Sequence, residues 1–174
     1  MIPDGMVDAI LTLARESLHA AALIAFLLAF GESLAFISLI IPATFLLAGF
    51  AAVLGAGGVD FAPIWMAAGA GAALGFSFSY WIGSLFKERV GWFRPFGLSD
   101  ELLARARVFI ERHGIVAVFL GHFIGPARAG VPIVAGMLAM RQVPFQTANL
   151  AASFLWAAAV LAPGQIALPW LLSK

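Results

Sequence analysis

Residues 121–132 read Gly-His-Phe-Ile-Gly-Pro-Ala-Arg-Ala-Gly-Val-Pro and place a charged side chain, Arg128, in the middle of an apolar segment. The arginine divides the segment from His113 to Met140 into two short uncharged runs, 113–127 and 129–140. Helices over those runs reach about 22 and 18 Å, less than a hydrocarbon core of roughly 30 Å. Four residues that weaken helices surround the arginine: Gly125, Pro126, Gly130 and Pro132.

This segment has two interpretations. It is either one kinked span with a buried arginine or a re-entrant pair of helices that turns back at mid-membrane. Four helix-weakening residues within eight positions are more than one kink requires, so we favour the re-entrant pair. Broken backbone at that depth has to be buried in protein or line a wet cavity.

The composition of the whole chain is that of a membrane protein. Of its 174 residues, 63% are hydrophobic and 11% charged, whereas soluble domains are about 45–50% apolar and roughly 25% charged. A net charge of +1 offers no basic surface to a nucleic acid. The chain has no cysteine, and its three histidines are scattered, so we expect no metal and no cofactor. No phosphate loop or nucleophile elbow indicates an enzyme.

Three long uncharged runs predict membrane-spanning helices. The first lies between Glu32 and Asp60, the second lies between Asp60 and Lys87, and the third follows Arg141 as far as Lys174. Each exceeds the about 20 helical residues that a bilayer requires. We therefore predict an all-α, polytopic integral membrane protein.

The first of these runs contains a weaker copy of the break around Arg128. Pro42 interrupts it after Glu32, and Gly49 follows, which predicts a second re-entrant pair over about 33–56. The residues expected to support the two breaks are Pro42, Gly49, Gly125, Pro126, Pro132 and Gly136.

The two halves also align as a repeat, without a gap, when Ile40 is placed on Ile124. Ile40-x-Pro42 then falls on Ile124-x-Pro126, and Val59-x-Phe61 falls on Val143-x-Phe145. Thr44 becomes the counterpart of Arg128. Repeats built on discontinuous helices are typical of transporters, whose sites lie at the repeat interface. We predict one membrane domain, 1–174, with repeats over about 18–86 and 113–172; that the repeat is inverted is what the family resemblance described below implies.

A charged connector, 87–112, separates the repeats and holds six of the ten Lys and Arg residues. Apolar residues recur in it at helical spacing: Leu102, Ala106, Phe109 and Ile110. This pattern predicts an amphipathic helix lying on the membrane, with a small soluble connector as the alternative. Residues 4–18 show a similar pattern. The basic excess places the connector on the cytoplasmic side.

A stripe of small residues runs along the second uncharged run at four-residue spacing: Gly71, Gly75, Ser79 and Gly83. Small residues at this spacing allow helices to pack closely within membranes. The alternative is a slot that accepts a lipid chain, and close packing is the favoured interpretation.

Two charged residues inside apolar segments, Glu32 and Arg128, are the leading candidates for function. A charge at the centre of a bilayer costs about 2.5–3.5 kcal/mol on insertion scales. Arg128 can bind phosphate bidentately, and Glu32 can take a proton or form an ion pair. The alternative for Glu32 is a loop carboxylate at the membrane surface, and the alternative for Arg128 is a turn arginine whose side chain snorkels to the interface.

His122 is either a group that titrates near neutral pH or a packing residue whose hydrogen bonds are satisfied. Asn149 is expected to hydrogen-bond a neighbouring helix, and Trp156 is either a packing residue or an interfacial anchor; both are candidates for supporting the site.

Several of these segments together resemble one family. Phe109-Ile-Glu-Arg-His-Gly114, His122-Phe-Ile-Gly-Pro-Ala-Arg128, Ala135-Gly-Met137, Phe145, and Asn149 through Trp156 are similar to the motifs of the DedA family, also called the SNARE-associated or VTT-domain family. In the first half, Glu32, the segment from Pro42 to Gly49, and Tyr80-Trp-Ile-Gly83 also fit. The resemblance covers about Gly31–Trp156.

The resemblance implies a fold and a function. The family has two inverted re-entrant hairpins and is associated with moving lipids between leaflets; its bacterial members are linked to undecaprenyl phosphate or phosphatidylethanolamine. Glu32 and Arg128 match the family's essential acid and its second essential arginine. We therefore expect a flippase or scramblase in a bacterial inner membrane, with a phospholipid or polyprenyl phosphate, protons and a second copy of the chain as candidate partners. The alternatives are a proton- or cation-coupled transporter of a small solute and a non-transporting scaffold.

Two positions depart from the family pattern. Thr44 stands where the family has a second acid, and His122 stands where it has its first arginine. One acid and one base are thus missing together. We hypothesise that these two positions face each other in the family, so that losing both keeps the site neutral.

Overall fold

A computed structural model describes residues 12, 17–34, 43–86 and 100–167 of the chain. These residues are helical almost throughout, and no strand occurs in the described part, which confirms the predicted all-α class. The helices are α1 (Leu18–Ser33), α2 (Ala43–Ala56), α3 (Phe61–Phe86), α4 (Asp100–His113), α5 (Ile115–Gly121), α6 (Gly125–Met137) and α7 (Gln142–Ala162), followed by a π-helical turn (Pro163–Ala167).

Two of the described helices are long and apolar enough to cross a membrane. The candidate spans are Phe61–Leu85 in α3 and Gln142–Gln165, which comprises α7 and the start of the π-helical turn. Helices α1 and α2 are shorter, at 16 and 14 residues. The outer faces of the long helices expose large apolar side chains, a surface suited to lipid: Leu74, Phe78, Trp81, Leu150 and Leu155.

Helix α3 contacts its neighbours through the small-residue stripe. A side-chain carbon added to Gly71 or Gly75 would collide with the carbonyl oxygens of Phe26 and Phe30 in α1. One added to Gly83 would collide with the carbonyl oxygen of Ile133 in α6. The backbones therefore lie in direct contact, and the close-packing interpretation of the stripe is confirmed.

Helices α1 and α2 lie at one end of α3. The contacts of Phe26 with Gly71 and of Phe30 with Gly75 advance in the same direction, so α1 runs parallel to α3 and ends beside its middle. Helix α2 starts next to that point, where Thr44 hydrogen-bonds the end of α1. We refer to this helix pair as hairpin α1–α2 and to its adjoining ends, Ser33 and Thr44, as its tip; these ends lie near the middle of α3.

Helices α5 and α6 form the corresponding hairpin at the other end of α3. Helix α6 begins beside Ser33 at the end of α1, because Arg128 donates a hydrogen bond to that side chain. It ends beside the second half of α3, where Gly136 abuts the carbonyl oxygen of Tyr80. The tips of the two hairpins consequently meet near the middle of α3.

Helix α7 runs antiparallel to α3 and covers both hairpins. Trp65 near the start of α3 donates its indole N–H to the carbonyl of Phe154, and Tyr80 near the end of α3 donates to the carbonyl of Met140, just before α7. The order of a short helix followed by a long helix thus occurs twice, in α2–α3 and in α6–α7. Their inverted relation stays a prediction.

The predicted break before Arg128 is confirmed, but it is short. Helix α5 ends at Gly121 and α6 begins at Gly125, so the break covers residues 122–124. Pro126 lies in the first turn of α6, where the missing N–H has no intrahelical partner to lose. The expected breaking roles of Pro132 and Gly136 are wrong, because both lie inside α6. Gly136 instead permits the close contact with α3.

In the first half, the expected break at Gly49 is also wrong. Gly49 lies inside α2, and a side-chain carbon added there would meet nothing within 4 Å. Pro42 lies outside the described residues.

The predicted connector helix is present as α4. It is followed by Gly114, whose φ of 53° is a conformation that favours glycine. Leu103, Ala106 and Ile110 of α4 are buried in the core with Val131 of α6. The apolar face of α4 thus packs against protein, and the position of this helix on the membrane stays a prediction. The second predicted amphipathic helix, over 4–18, lies almost wholly outside the described residues.

Replacing Gly83 with alanine is expected to destabilise the protein by about 1–3 kcal/mol, because the added carbon overpacks the α3–α6 contact. Gly49→Ala is the matched control, since its surroundings are open. Alanine should there stabilise the helix by about 0.5–1 kcal/mol. Thermal unfolding in detergent measures both variants. Equal midpoints for the two would contradict the close contact.

Candidate functional site

The two hairpin tips bring four polar residues together. Glu32 and Ser33 end α1, Thr44 lies in the first turn of α2, and Arg128 lies in the first turn of α6. Thr44 Oγ1 donates a hydrogen bond of 2.6 Å to Glu32 Oε1. Arg128 Nη2 donates one of 2.9 Å to Ser33 Oγ, and its Nη1 lies 3.9 Å from Glu32 Oε1. Three of the predicted site residues therefore form one cluster.

Arg128 is buried, with 4% of its surface exposed, although it carries a full charge. Its guanidinium carbon lies 3.9 Å from the ring centroid of Trp156 on α7. A cation over an indole face is attracted by the ring quadrupole, and the contact strengthens where water is excluded. The aromatic ring therefore covers one face of the guanidinium group.

The ion pair between Glu32 and Arg128 leaves hydrogen-bonding capacity unused. Charge-assisted hydrogen bonds are usually about 2.7–2.9 Å long, so a separation of 3.9 Å is loose. Glu32 Oε2 and Arg128 Nε are buried, and neither has a hydrogen-bond partner among the described residues. The guanidinium edge thus retains donors for an anion.

The start of α6 adds a second anion-binding feature. Helix α6 has no side-chain cap at Ile124, so the backbone N–H groups of its first turn lack such a partner. Helix N-termini attract anions through these N–H groups and the helix dipole. Arg128 lies in that same turn, and the combination suits the oxygen atoms of a phosphate group.

His122 and Asn149 belong to a neighbouring polar network rather than to this cluster. His122 Nε2 lies 2.9 Å from Ser153 Oγ, and Ser153 donates a 3.2 Å hydrogen bond to Asn149 Oδ1. The Asn149 side chain donates to the carbonyl of Ala73 at 2.9 Å, which links α7 to α3. The predicted interhelical role of Asn149 is confirmed. His122 is buried, and its ring centroid lies 3.9 Å from the ring centroid of Phe76.

Positions 44 and 122 bond different partners in this chain, and the hypothesis that they face each other in the family stays a prediction. Thr44 is bonded to Glu32, whereas His122 is bonded to Ser153 on α7. Each replacement residue is satisfied separately by its own hydrogen bond. Among the residues that the structure describes, no group of three or more His, Asp or Glu side chains is arranged to hold a metal ion.

The chain matches the family model described as the VTT domain over residues 40–166. The chain belongs to the VTT-domain family. That match covers most of the chain, including Thr44, Arg128 and Trp156. The family resemblance predicted from the sequence is thereby confirmed.

Individual relatives support the assignment to a membrane. The chain is 36% identical over 151 residues to the inner membrane protein YabI of Escherichia coli (strain K12), which covers 87% of this chain and 58% of that protein. It is 32% identical over 149 residues to the uncharacterized membrane protein BU139 of Buchnera aphidicola subsp. Acyrthosiphon pisum, covering 86% of this chain and 58% of the relative. For the inner membrane protein YghB of E. coli the identity is 32% over 136 residues, covering 72% of this chain and 60% of that protein.

These relatives identify this chain as a membrane protein. The chain spans less than two thirds of the length of the relatives described above. No solved structure matches the chain.

Sequence reasoning missed the contributions of Ser33 and Ser153 and the contact of Trp156 with Arg128. Ser33 is next to Glu32, but nothing in the sequence relates it to a residue 95 positions away. Ser153 could have been found from its spacing, since it lies four residues after Asn149 and three before Trp156 on one face of α7.

Thr44→Val is expected to lower stability by about 1.5–3 kcal/mol, because it removes a hydrogen bond to a buried carboxylate while keeping the side-chain shape. Thr44→Ser keeps the hydroxyl and serves as the control. Thermal unfolding of the two variants in detergent measures the difference. If Thr44→Val and Thr44→Ser have the same unfolding temperature, the hydrogen bond to Glu32 contributes nothing to stability.

Proposed function

We propose that this protein moves a phosphate-bearing lipid, such as a phospholipid or a polyprenyl phosphate, between the leaflets of a bacterial inner membrane. The observation that carries the proposal is a buried arginine with unused donors where two helical hairpins meet. The membrane names of the relatives agree with this location.

The packing of the hairpins supports two re-entrant segments. Hairpin α1–α2 lies along the first half of α3, and hairpin α5–α6 follows on the opposite side of its middle. Helix α6 has 13 residues and reaches about 20 Å, too short to span a bilayer. With α3 spanning the bilayer, Arg128 lies near mid-membrane, at the level of Gly75.

Exposed apolar residues beside the site favour a lipid over a water-soluble solute. Phe45 and Leu46 follow Thr44 and are 78% and 56% exposed. Phe123 and Ile124, in the break of the other hairpin, are also exposed. The surface next to the polar cluster therefore suits acyl or prenyl chains, which stay in the hydrocarbon phase while the headgroup enters.

The same geometry explains how the barrier to headgroup transfer is lowered. A phosphate that leaves water loses its hydration, and an isolated charge in hydrocarbon is very costly. Arg128 Nε and the first turn of α6 replace those hydrogen bonds with fixed donors. Thr44 keeps Glu32 Oε1 occupied, so the carboxylate competes less with the arriving phosphate for the guanidinium group.

A proton- or cation-coupled transporter of a small solute is the second candidate. The observation in its favour is the buried Glu32, whose Oε2 has no hydrogen-bond partner among the described residues and could take a proton or contact a cation. This candidate predicts solute flux in protein-containing vesicles that do not exchange lipid.

Lipid exchange in liposomes reconstituted with the purified protein tests the proposal. Fluorescent phosphatidylethanolamine and a polyprenyl phosphate should exchange between leaflets, whereas a glycosylceramide, which has no phosphate, should not. Arg128→Ala removes hydrogen bonds worth about 1.5–3 kcal/mol each. It should therefore slow exchange roughly tenfold or more. Arg128→Lys should also slow it, since lysine lacks the planar fork.

Arg105→Ala is the control for the loss of an arginine. Arg105 is exposed on α4 and pairs with Glu101 one turn away, so its removal should leave exchange unchanged. Equal exchange by the protein with Arg128→Ala, shown to be folded, would reject the lipid proposal. Proton-dependent solute uptake in the same vesicles would then support the second candidate.

A further inference from the structure

One face of α7 carries a continuous series of polar and aromatic side chains. Gln146, Asn149, Ser153 and Trp156 follow each other at intervals of three or four residues and therefore share a face. From the first to the last, they extend about 15 Å along the helix. Trp156 contacts Arg128 at the inner end, and Gln146 lies partly exposed near the beginning of α7.

Hydrogen bonds connect Gln146, Asn149 and Ser153 with Ser77 and His122, and we name this connected set the polar seam. The bond between His122 and Ser153 and the bond between Ser153 and Asn149 were described above. In addition, the amide nitrogen of Asn149 lies 3.0 Å from Ser77 Oγ and 3.1 Å from Gln146 Oε1. Ser77 also donates to Gln146 Oε1 at 2.9 Å. The members of the seam are Ser77, His122, Gln146, Asn149 and Ser153.

The opposite half of the molecule is packed differently. Between the site and the end of α7, the buried core includes a group of small or branched apolar side chains from α1, α2, α3 and α7, which we name the apolar cluster: Ala21, Ala25, Leu47, Ala51, Leu54, Ile64, Ala68, Ala157 and Leu161. Its members are buried with almost no exposed surface. Gln165 in the π-helical turn is a buried polar side chain at this end, and its amide donates to the carbonyl of Val59. The hydrogen-bonded polar side chains of α7 thus lie from Gln146 to Ser153, before the residues of the apolar cluster on the same helix.

A structural bond between two membrane helices needs one polar side chain and one acceptor. The bond from Asn149 to the carbonyl of Ala73 already joins α7 to α3 in this way, as does the bond from Trp65 to the carbonyl of Phe154. The seam has more polar groups than that task requires, and they form a row that ends beside Arg128. Arg141, exposed just before α7, adds a cation near the outer end, which attracts anions.

We propose that the polar seam is a one-sided pathway for water and the phosphate headgroup between Arg128 and the membrane surface at which α7 begins. Gln146 is its mouth, and the bonds among Ser77, Gln146 and Asn149 close it in the state described here. The apolar cluster seals the site from the other surface in this state. The headgroup as cargo rests on the function proposed above; the access of water and small anions does not.

Accessibility of single cysteines tests the pathway directly, because the chain has no cysteine of its own. Ser153→Cys and Ser77→Cys are nearly isosteric changes within the seam. Ala157→Cys and Ala68→Cys are the matched controls on the same two helices, within the apolar cluster. The probe is sulfonatoethyl methanethiosulfonate, a small anion that does not cross membranes. Arg141→Cys in oriented vesicles reports which surface the probe reaches.

Both seam variants should react from the surface that labels Arg141→Cys, at least tenfold faster than the two controls, and not from the other surface. Adding Gln146→Leu should slow the labelling of Ser153→Cys severalfold, because it removes the polar mouth. Size-exclusion profiles and thermal unfolding midpoints close to those of the unchanged protein establish that each variant is folded.

The outcomes separate this pathway from the proposed lipid transport. Lipid exchange with a seam as unreactive as the controls would overturn the pathway and assign the seam to helix packing alone. Labelling from the surface opposite Arg141 would overturn it as well. One-sided labelling without any lipid exchange would support the pathway and reject the lipid as its cargo.

Discussion

The burial of the Arg128 guanidinium group is the constraint on which the arrangement of the hairpins depends. A buried charge without partners is strongly unfavourable, so the start of α6 has to meet groups that can receive it. Those groups lie on other elements: Ser33 and Glu32 at the end of α1, and Trp156 on α7. Satisfying one side chain therefore fixes the relative positions of both hairpin tips and α7.

The glycines of α3 make that meeting geometrically achievable. Helix α1 approaches Gly75 closely enough for its backbone to touch α3, and α6 does the same at Gly83. Larger side chains at these positions would separate the hairpins from α3 and move their tips away from one another. The contact of α1 at Gly75 is about two helical turns before the contact of α6 at Gly83, so the end of α1, with Glu32, and the start of α6, with Arg128, come together beside α3.

Local chemistry was predictable from the sequence, but partners distant along the chain were not. The helix-weakening residues Gly125 and Pro126 predicted the interruption before Arg128. The four-residue spacing of small residues predicted the packing stripe on α3. Pro132 and Gly136 were misjudged because a helix held by surrounding protein tolerates residues that weaken it in isolation. The repeat offset matched Thr44 with Arg128, and both contact Glu32. Nothing local indicated Ser33 as a partner of Arg128, because burial and helix contacts determine that pairing.

Charge balance connects the two departures from the family pattern to the proposed transport. With threonine at position 44 and histidine at 122, the described cluster holds one acid and one base, and its net charge is zero when Glu32 is ionised. An arriving phosphate adds negative charge to a site shielded from water, where uncompensated charge is costly. On the proposed function, Glu32 must then move away from Arg128, take up a proton, or be joined by a cation. The Thr44 hydroxyl favours the first of these, because it already holds the carboxylate at 2.6 Å while the ion pair to Arg128 stays loose.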